Sequence, residues 1–209
     1  MSKRLTIEVV SDVICPWCYI GKRRLEKALA LLGDEVSVEI RWLPFQLNPD
    51  MPAEGVLRAD YRQAKFGSAE RAKGMDARVT AEGQGEGIAF AFERMERTPN
   101  TVAAHQLIAL AQKQGLGTAA VDALFRAYFE EARNVGDPEV LADIAKRCGV
   151  KDWPGAADRT EVAALEESMR GLGISAVPTF VFDRKSGVSG AHSPEALASA
   201  MREALASAT

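Results

Sequence analysis

Two cysteines separated by two residues, Cys15-Pro16-Trp17-Cys18, stand where a strand-like pattern runs into a helical one. Before them, Leu5-Thr6-Ile7-Glu8-Val9-Val10 is rich in β-branched residues. After them, the apolar positions Cys18, Leu25, Leu29 and Leu32 recur near helical spacing, with Gly33 as a stop. The spacing therefore predicts a strand, a junction carrying both thiols, and a helix. Pro16 suits the first helical turn, where a backbone N–H would have no intrahelical partner. Cys15 then sits at the helix N-terminus, where free N–H groups and the positive dipole end stabilise a thiolate but not a neutral thiol. Only the reduced protein holds that thiolate. Each tenfold preference for it makes a Cys15–Cys18 disulfide more oxidising by about 30 mV. A zinc half-site or a static disulfide would also place two cysteines this close. A zinc site needs a second cysteine or histidine pair, however, and Cys-x-x-Cys in a βαβ context reads as a redox centre.

Composition excludes several classes. The 209 residues are 47% hydrophobic, enough for one full core or for one domain carrying an insertion. The 26 basic and 29 acidic residues give a net charge of −3, which argues against nucleic acid or an anionic membrane as partner. Lys3 and Arg4 resemble the charged start of an export signal, but Glu8 and Asp12 interrupt the apolar run that follows, and the sequence holds no 18-residue apolar stretch. The expectation is a cytoplasmic protein, monomeric or homodimeric. In that reducing compartment, a close cysteine pair is catalytic or metal-binding rather than a structural staple.

Along the chain, Lys22, Arg23 and Arg24 follow the cysteine pair on its helix, either to steer anionic partners or as a solvated face. Val36, Val38, Ile40 and Trp42 alternate with polar residues as in a half-covered strand. Pro44, Asn48, Pro49 and Pro52 then mark a boundary near residue 50. From Ala53 to about Trp153 the pattern is helical, apart from one strand-like stretch, Ile88–Phe92, beside a loop at Gly83–Gly87. Helices are expected from an Asn100 N-cap to Gly115, around Val121–Phe129, from an Asp137 N-cap to Gly149, and around Val162–Met169. An apolar run, Ile174–Asp183, predicts a strand with Pro178 at its entrance. A turn, a short strand over Lys185–Gly190 and a helix after Ser193-Pro194 close the chain.

Cys15-Pro16-Trp17-Cys18-Tyr19-Ile20-Gly21-Lys22, Val177-Pro178-Thr179-Phe180 and Gly190-Ala191-His192-Ser193-Pro194-Glu195 together resemble the DsbA-like thioredoxin superfamily, closest to its FrnE-like cytosolic branch. Asn100–His105 and Gly136–Leu141 resemble that branch's helical insert. Gln106, where a basic residue is usual, and Ala176, where glycine is common, depart from the pattern. The resemblance implies an α/β thioredoxin fold with an inserted α-helical domain: residues 1–50 and 155–209 form the thioredoxin-like part, and 51–154 the insert. It further implies a cis Val177–Pro178 bond facing the Cys15 sulfur.

The implied activity is thiol–disulfide exchange, with Cys15 as nucleophile and Cys18 as resolving thiol. Pro16, Trp17, Val177 and Pro178 would contact substrate, with Asn100 and His105 behind them. Substrates would be thiols or disulfides, protein or small molecule, with no metal, no cofactor beyond the redox-active disulfide, and glutathione as a candidate co-substrate. His105 and Cys148, both on apolar helical stripes, read first as packed core groups, and His192 as part of the loop before the last helix. Kappa-class glutathione transferases and 2-hydroxychromene-2-carboxylate isomerases resemble the same architecture. There a single serine or cysteine at the position of Cys15 works with bound glutathione, so Cys18 is the feature that separates the two readings.

Overall fold

Strand β1 (Lys3–Ser11) becomes the middle of a sheet: its second half, mostly apolar, is buried on both faces. The computed structural model, which describes residues 3–33 and 36–207, gives a four-stranded sheet in the order β2-β1-β5-β6. Strand β2 (Val36–Pro44) runs parallel to β1, with Val9 opposite Trp42. Strand β5 (Thr179–Phe182) is antiparallel to β1, with Val10 opposite Thr179, and β6 (Ser186–Ser189) closes the other edge. Helix α1 (Pro16–Leu32) makes the crossover from β1 to β2 and packs against the last helix, α8 (Pro194–Ala206). Ser193 caps α8 by accepting from the Ala196 N–H.

Six helices lie between β2 and β5: α2 (Arg58–Phe66), α3 (Ala69–Gly85), α4 (Val102–Lys113), α5 (Gly117–Phe129), α6 (Pro138–Cys148) and α7 (Arg159–Gly171). The Asp137 cap of α6 and its left-handed Gly149 stop stand where the sequence puts them. Asn100 accepts from the Val102 N–H at the start of α4. Helix α7 packs on both β2 and α4. On the outer side of β2, the Gln112 carboxamide accepts from the Trp42 N–H at 2.7 Å, so α4 satisfies backbone that an edge strand would otherwise expose.

Four expectations change. Ile88–Phe92 is not a strand: the chain is irregular to Ala91 and then makes one 3₁₀ turn at Phe92–Arg94. Its apolarity serves side-chain packing, because the Phe90 and Phe92 rings stack at 4.7 Å and both meet Phe129 edge-on. Gly83 is helical rather than part of a loop. A Cβ there would lie 2.3 Å from the Phe90 ring, so the missing side chain lets that ring lie against α3. A two-stranded pairing, β3 (Val56–Leu57) with β4 (Arg97–Thr98), is too short to leave any periodicity in sequence. Strand β5 is also shorter than the apolar run that predicts it. Ile174 and Val177 instead pack on the small cluster of Val10, Leu43, Phe45 and Met169.

Lys22, Arg23 and Arg24 on α1 are neither a steering patch nor a solvated face. Lys22 is 2% exposed and donates to Glu26 and Asp122 at 2.6 Å each. Arg23 reaches the Tyr19 hydroxyl and Asp122, while Arg24 reaches Glu82 and Glu86 of the α3 segment and the Ala191 carbonyl. The peptide bonds Val177–Pro178 and Trp153–Pro154 are both cis.

Gly21 marks a close approach of α1 to Pro178 and β5. An added Cβ would lie 2.9 Å from Pro178 Cγ and 3.3 Å from the Phe180 ring. Alanine normally stabilises a helix interior by about 0.5–1 kcal/mol over glycine, whereas overpacking a rigid contact costs about 1–3 kcal/mol. Gly21→Ala should therefore be net destabilising, by roughly 1 kcal/mol, in urea unfolding. A variant as stable as the parent, or more so, would show that the α1–Pro178 contact is loose.

Candidate active site

The register of β1 against β5 builds the site. Because Val10 pairs with Thr179, the chain leaving β1 and the chain entering β5 emerge at the same end of the sheet. The turn out of β1 is fixed by the Cys15 N–H donating to the Asp12 carbonyl at 3.0 Å, and Cys15 becomes the N-cap of α1. Its thiol points at the cis-proline loop, with Sγ 3.7 Å from the Val177 carbonyl oxygen that accepts from it. Cys18 lies one turn further along, and its N–H donates back to the Cys15 carbonyl at 3.0 Å.

The two thiols are free and unequal. Cys15, together with Pro16, Trp17 and Val177, lines a cavity of about 260 Å³ that reaches from the head of α1 to α2 and α3. Cys18 does not line it and is 1% exposed. Burial pushes the Cys18 thiol well above the ordinary value, and a hydrogen bond and charge from Cys15 push it further. The Asp12 backbone and the Ser11 hydroxyl oppose them.

Asp12 is fully buried and joins three segments. Its Oδ2 accepts from the Leu47 N–H at 2.8 Å, its Oδ1 stands 3.3 Å from His105 Nε2 of α4, and its carbonyl holds Cys15. His105 thus reaches the Cys15 turn through one residue. Asn100 lies elsewhere: its amide donates to the Met51 carbonyl at 2.7 Å, and it borders a different cavity with Gln46 and Gly136. Pro178 is buried beside Gly21. Cys148 is half-buried at the end of α6, its thiol donating to the Ala119 carbonyl, and burial raises it above the ordinary thiol value. His192 Nε2 lies 2.9 Å from the Ser189 carbonyl oxygen.

Sequence reasoning did not single out Asp12 or the far wall of the cavity. That wall carries Arg58, Tyr61, Arg62 and Lys65 of α2 and Asp76 of α3. The signal was present: Arg58, Tyr61, Arg62 and Lys65 are spaced three and four apart, which puts them on one face of a short helix.

The profile of the DSBA-like thioredoxin domain matches residues 6–202. The chain belongs to that family. A crystal structure of a probable DsbA oxidoreductase from Streptomyces coelicolor is similar, with 33% identity over 96% of this chain and 89% of that one, at a TM-score of 0.87. The cytosolic disulfide reductase DsbM from Pseudomonas aeruginosa, solved with glutathione, shares this DsbA-like fold at 18% identity and a TM-score of 0.61, with 96% of each chain covered. A 2-hydroxychromene-2-carboxylate isomerase shares it at 14% identity and a TM-score of 0.67, with 95% of each chain covered. Among the described residues, no helix is long and apolar enough to cross a membrane.

A thiol whose folded value is raised contributes stability that is fully present below its unfolded value, near 8.5, and is lost as pH rises above it, because the unfolded chain ionises first. For Cys18 the loss approaches about 1.4 kcal/mol per pH unit. Between pH 7 and 9.5, urea midpoints of the reduced protein should fall more steeply than those of Cys18→Ala. Tyr19, pushed up to about 12 by burial and its bond to Glu130, contributes only above that window. Parallel profiles would contradict the raised thiol.

Proposed function

We propose that this protein is a thiol–disulfide oxidoreductase of the FrnE-like cytosolic branch of its family, working in the cytoplasm on protein or small-molecule disulfides. One observation carries the reading: of two adjacent thiols, Cys15 opens on a cavity beside a cis-proline carbonyl, while Cys18 is sealed beneath it.

In the reducing direction, the Cys15 thiolate attacks one sulfur of a substrate disulfide, forming a mixed disulfide and expelling the first thiolate. Cys18, after giving up its proton, attacks Cys15 Sγ. The second substrate thiolate leaves and a Cys15–Cys18 disulfide remains, so the substrate gains the two electrons the protein loses. The reverse sequence oxidises substrate thiols. Glutathione as co-substrate is supported by the DsbM neighbour solved with it.

The second reading, a glutathione-dependent isomerase or transferase, is favoured by the isomerase neighbour and requires only Cys15. Cys18→Ala separates the two. It should attack disulfides, fail to release them and accumulate mixed disulfides visible by mass spectrometry. Turnover with insulin and with hydroxyethyl disulfide should fall by about 100-fold or more, as it should in Cys15→Ser. Full turnover in Cys18→Ala, with wild-type isomerisation of an aromatic substrate, would replace the redox reading.

A further inference from the structure

The cavity beside Cys15 carries more positive charge than its own walls neutralise. Its charged lining consists of Arg58, Arg62, Lys65 and Asp76, three cations against one carboxylate. Asp76 is shared: Arg62 donates to Oδ1, and Arg58 reaches both oxygens at 3.2–3.3 Å. Arg62 also gives one N–H to the Ala72 carbonyl, but its buried Nε has no hydrogen-bond partner among the described residues. Burial holds the Arg62 guanidinium below its ordinary value. Asp76 offsets part of this, and the neighbouring Arg58 adds to it. Lys65 bonds only the Tyr61 hydroxyl, at 2.8 Å, and no carboxylate among the described residues pairs with it.

This arrangement is poorly suited to an empty, solvated pocket. Both guanidiniums are held in place: Arg62 lies 4.3 Å above the Phe66 ring and Arg58 5.2 Å from the Phe92 ring, and their side chains are only 16% and 13% exposed. Like charges brought together in partly desolvated surroundings repel each other, and one carboxylate cannot pair fully with both. A bound anion would supply the missing charge and acceptors, since a guanidinium matches the geometry of carboxylate and phosphate. The rest of the wall is apolar and aromatic, including Trp17, Met95 and Phe129. At about 260 Å³ the cavity is close to the lower end of ordinary ligand pockets, about 300–1,000 Å³. That size suits a metabolite rather than a run of polypeptide.

We propose that this cavity recognises a low-molecular-weight anionic thiol and its disulfide, with the thiol sulfur at Cys15 and a carboxylate or phosphate group on Arg58, Arg62 and Lys65. The substrate class rests on the thiol–disulfide reading above; the anion site does not. Nothing new is asked of the chemistry, because the exchange steps already balance for any disulfide.

Two measurements keep the parts separate. Binding is read by isothermal titration calorimetry with S-methylglutathione, which is anionic and cannot exchange. Exchange is read as the rate at which pre-reduced protein is oxidised by glutathione disulfide, coenzyme A disulfide, neutral hydroxyethyl disulfide and cationic cystamine. Each rate is divided by that of a free dithiol with the same disulfide.

The normalised rate should be at least about tenfold higher for one of the two anionic disulfides than for the neutral one, and cystamine should be slowest. Which anion wins tells carboxylate from phosphate. Arg58→Gln/Arg62→Gln should lose most of that preference, read as the ratio of the anionic to the hydroxyethyl disulfide rate. Because that double variant leaves Asp76 unpaired, Lys65→Glu provides a second test on an exposed residue outside the ion-pair network, and should reduce the preference severalfold. Saturable binding of S-methylglutathione without oxidation by any disulfide would keep the anion site and remove the redox reading. Equal normalised rates for anionic and neutral disulfides, together with no binding, would overturn the proposal.

Discussion

The pairing of β1 with β5 is the constraint on which the site depends. Neither the Cys15 turn nor the Val177–Pro178 loop is part of a ladder, yet they meet at 3.7 Å because Val10 and Thr179 are the last matched pair before both chains leave the sheet. A slip of one residue in that register would send every side chain of β5 to the opposite face. It would exchange buried Phe180 and Phe182 for the less buried Val181. Burying two phenylalanines is worth several kcal/mol at about 1.5–3 kcal/mol each, which fixes the register and with it the apposition. Asp12 then locks the turn from beneath by accepting from the Leu47 and Cys15 N–H groups, while its Oδ1 lies 3.3 Å from His105 Nε2.

The helical insert is fastened to α1 by charge as well as by packing. Lys22 is buried with Asp122 of α5 as its partner, and Arg24 bridges to Glu82 and Glu86. Buried ion pairs add little net stability, because desolvation offsets the attraction, but breaking one leaves an uncompensated charge. Their effect here is positional. Tyr19 stacks on Phe125 at 5.0 Å and its hydroxyl donates to Glu130 at 2.6 Å, so the helix that begins at Cys15 is gripped by α5 along its first two turns. The cavity wall contributed by α3 is thereby held against Cys15.

The elements that carry their own local signal were legible. β1 has its β-branched run, α1 and α8 have proline at the first turn, and α6 has Asp137 before it and Gly149 after it. What was illegible depends on partners distant in sequence. Phe90 and Phe92 look like a strand until Phe129 and Tyr19 are seen to take their rings. Lys22 looks solvated until Asp122 arrives from a hundred residues away. At the site, Cys15 and Cys18 announce themselves by spacing. Asp12 and Arg62 are ordinary charged residues in sequence, and only packing beside the thiol gives them a part.

The environment of Cys18 also bears on the order of events in the proposed exchange. Three influences raise its thiol: burial first, then a hydrogen bond with Cys15 and the electrostatic influence of Cys15. Two oppose them, the Asp12 backbone and the Ser11 hydroxyl. Once Cys15 is committed to a mixed disulfide its sulfur carries no charge and no proton, so both contributions from Cys15 weaken while the Asp12 and Ser11 contacts stay. Cys18 then ionises more readily than it did in the free dithiol. In the proposed exchange, formation of the intermediate eases the part of the restraint that comes from Cys15, while burial, the largest part, stays.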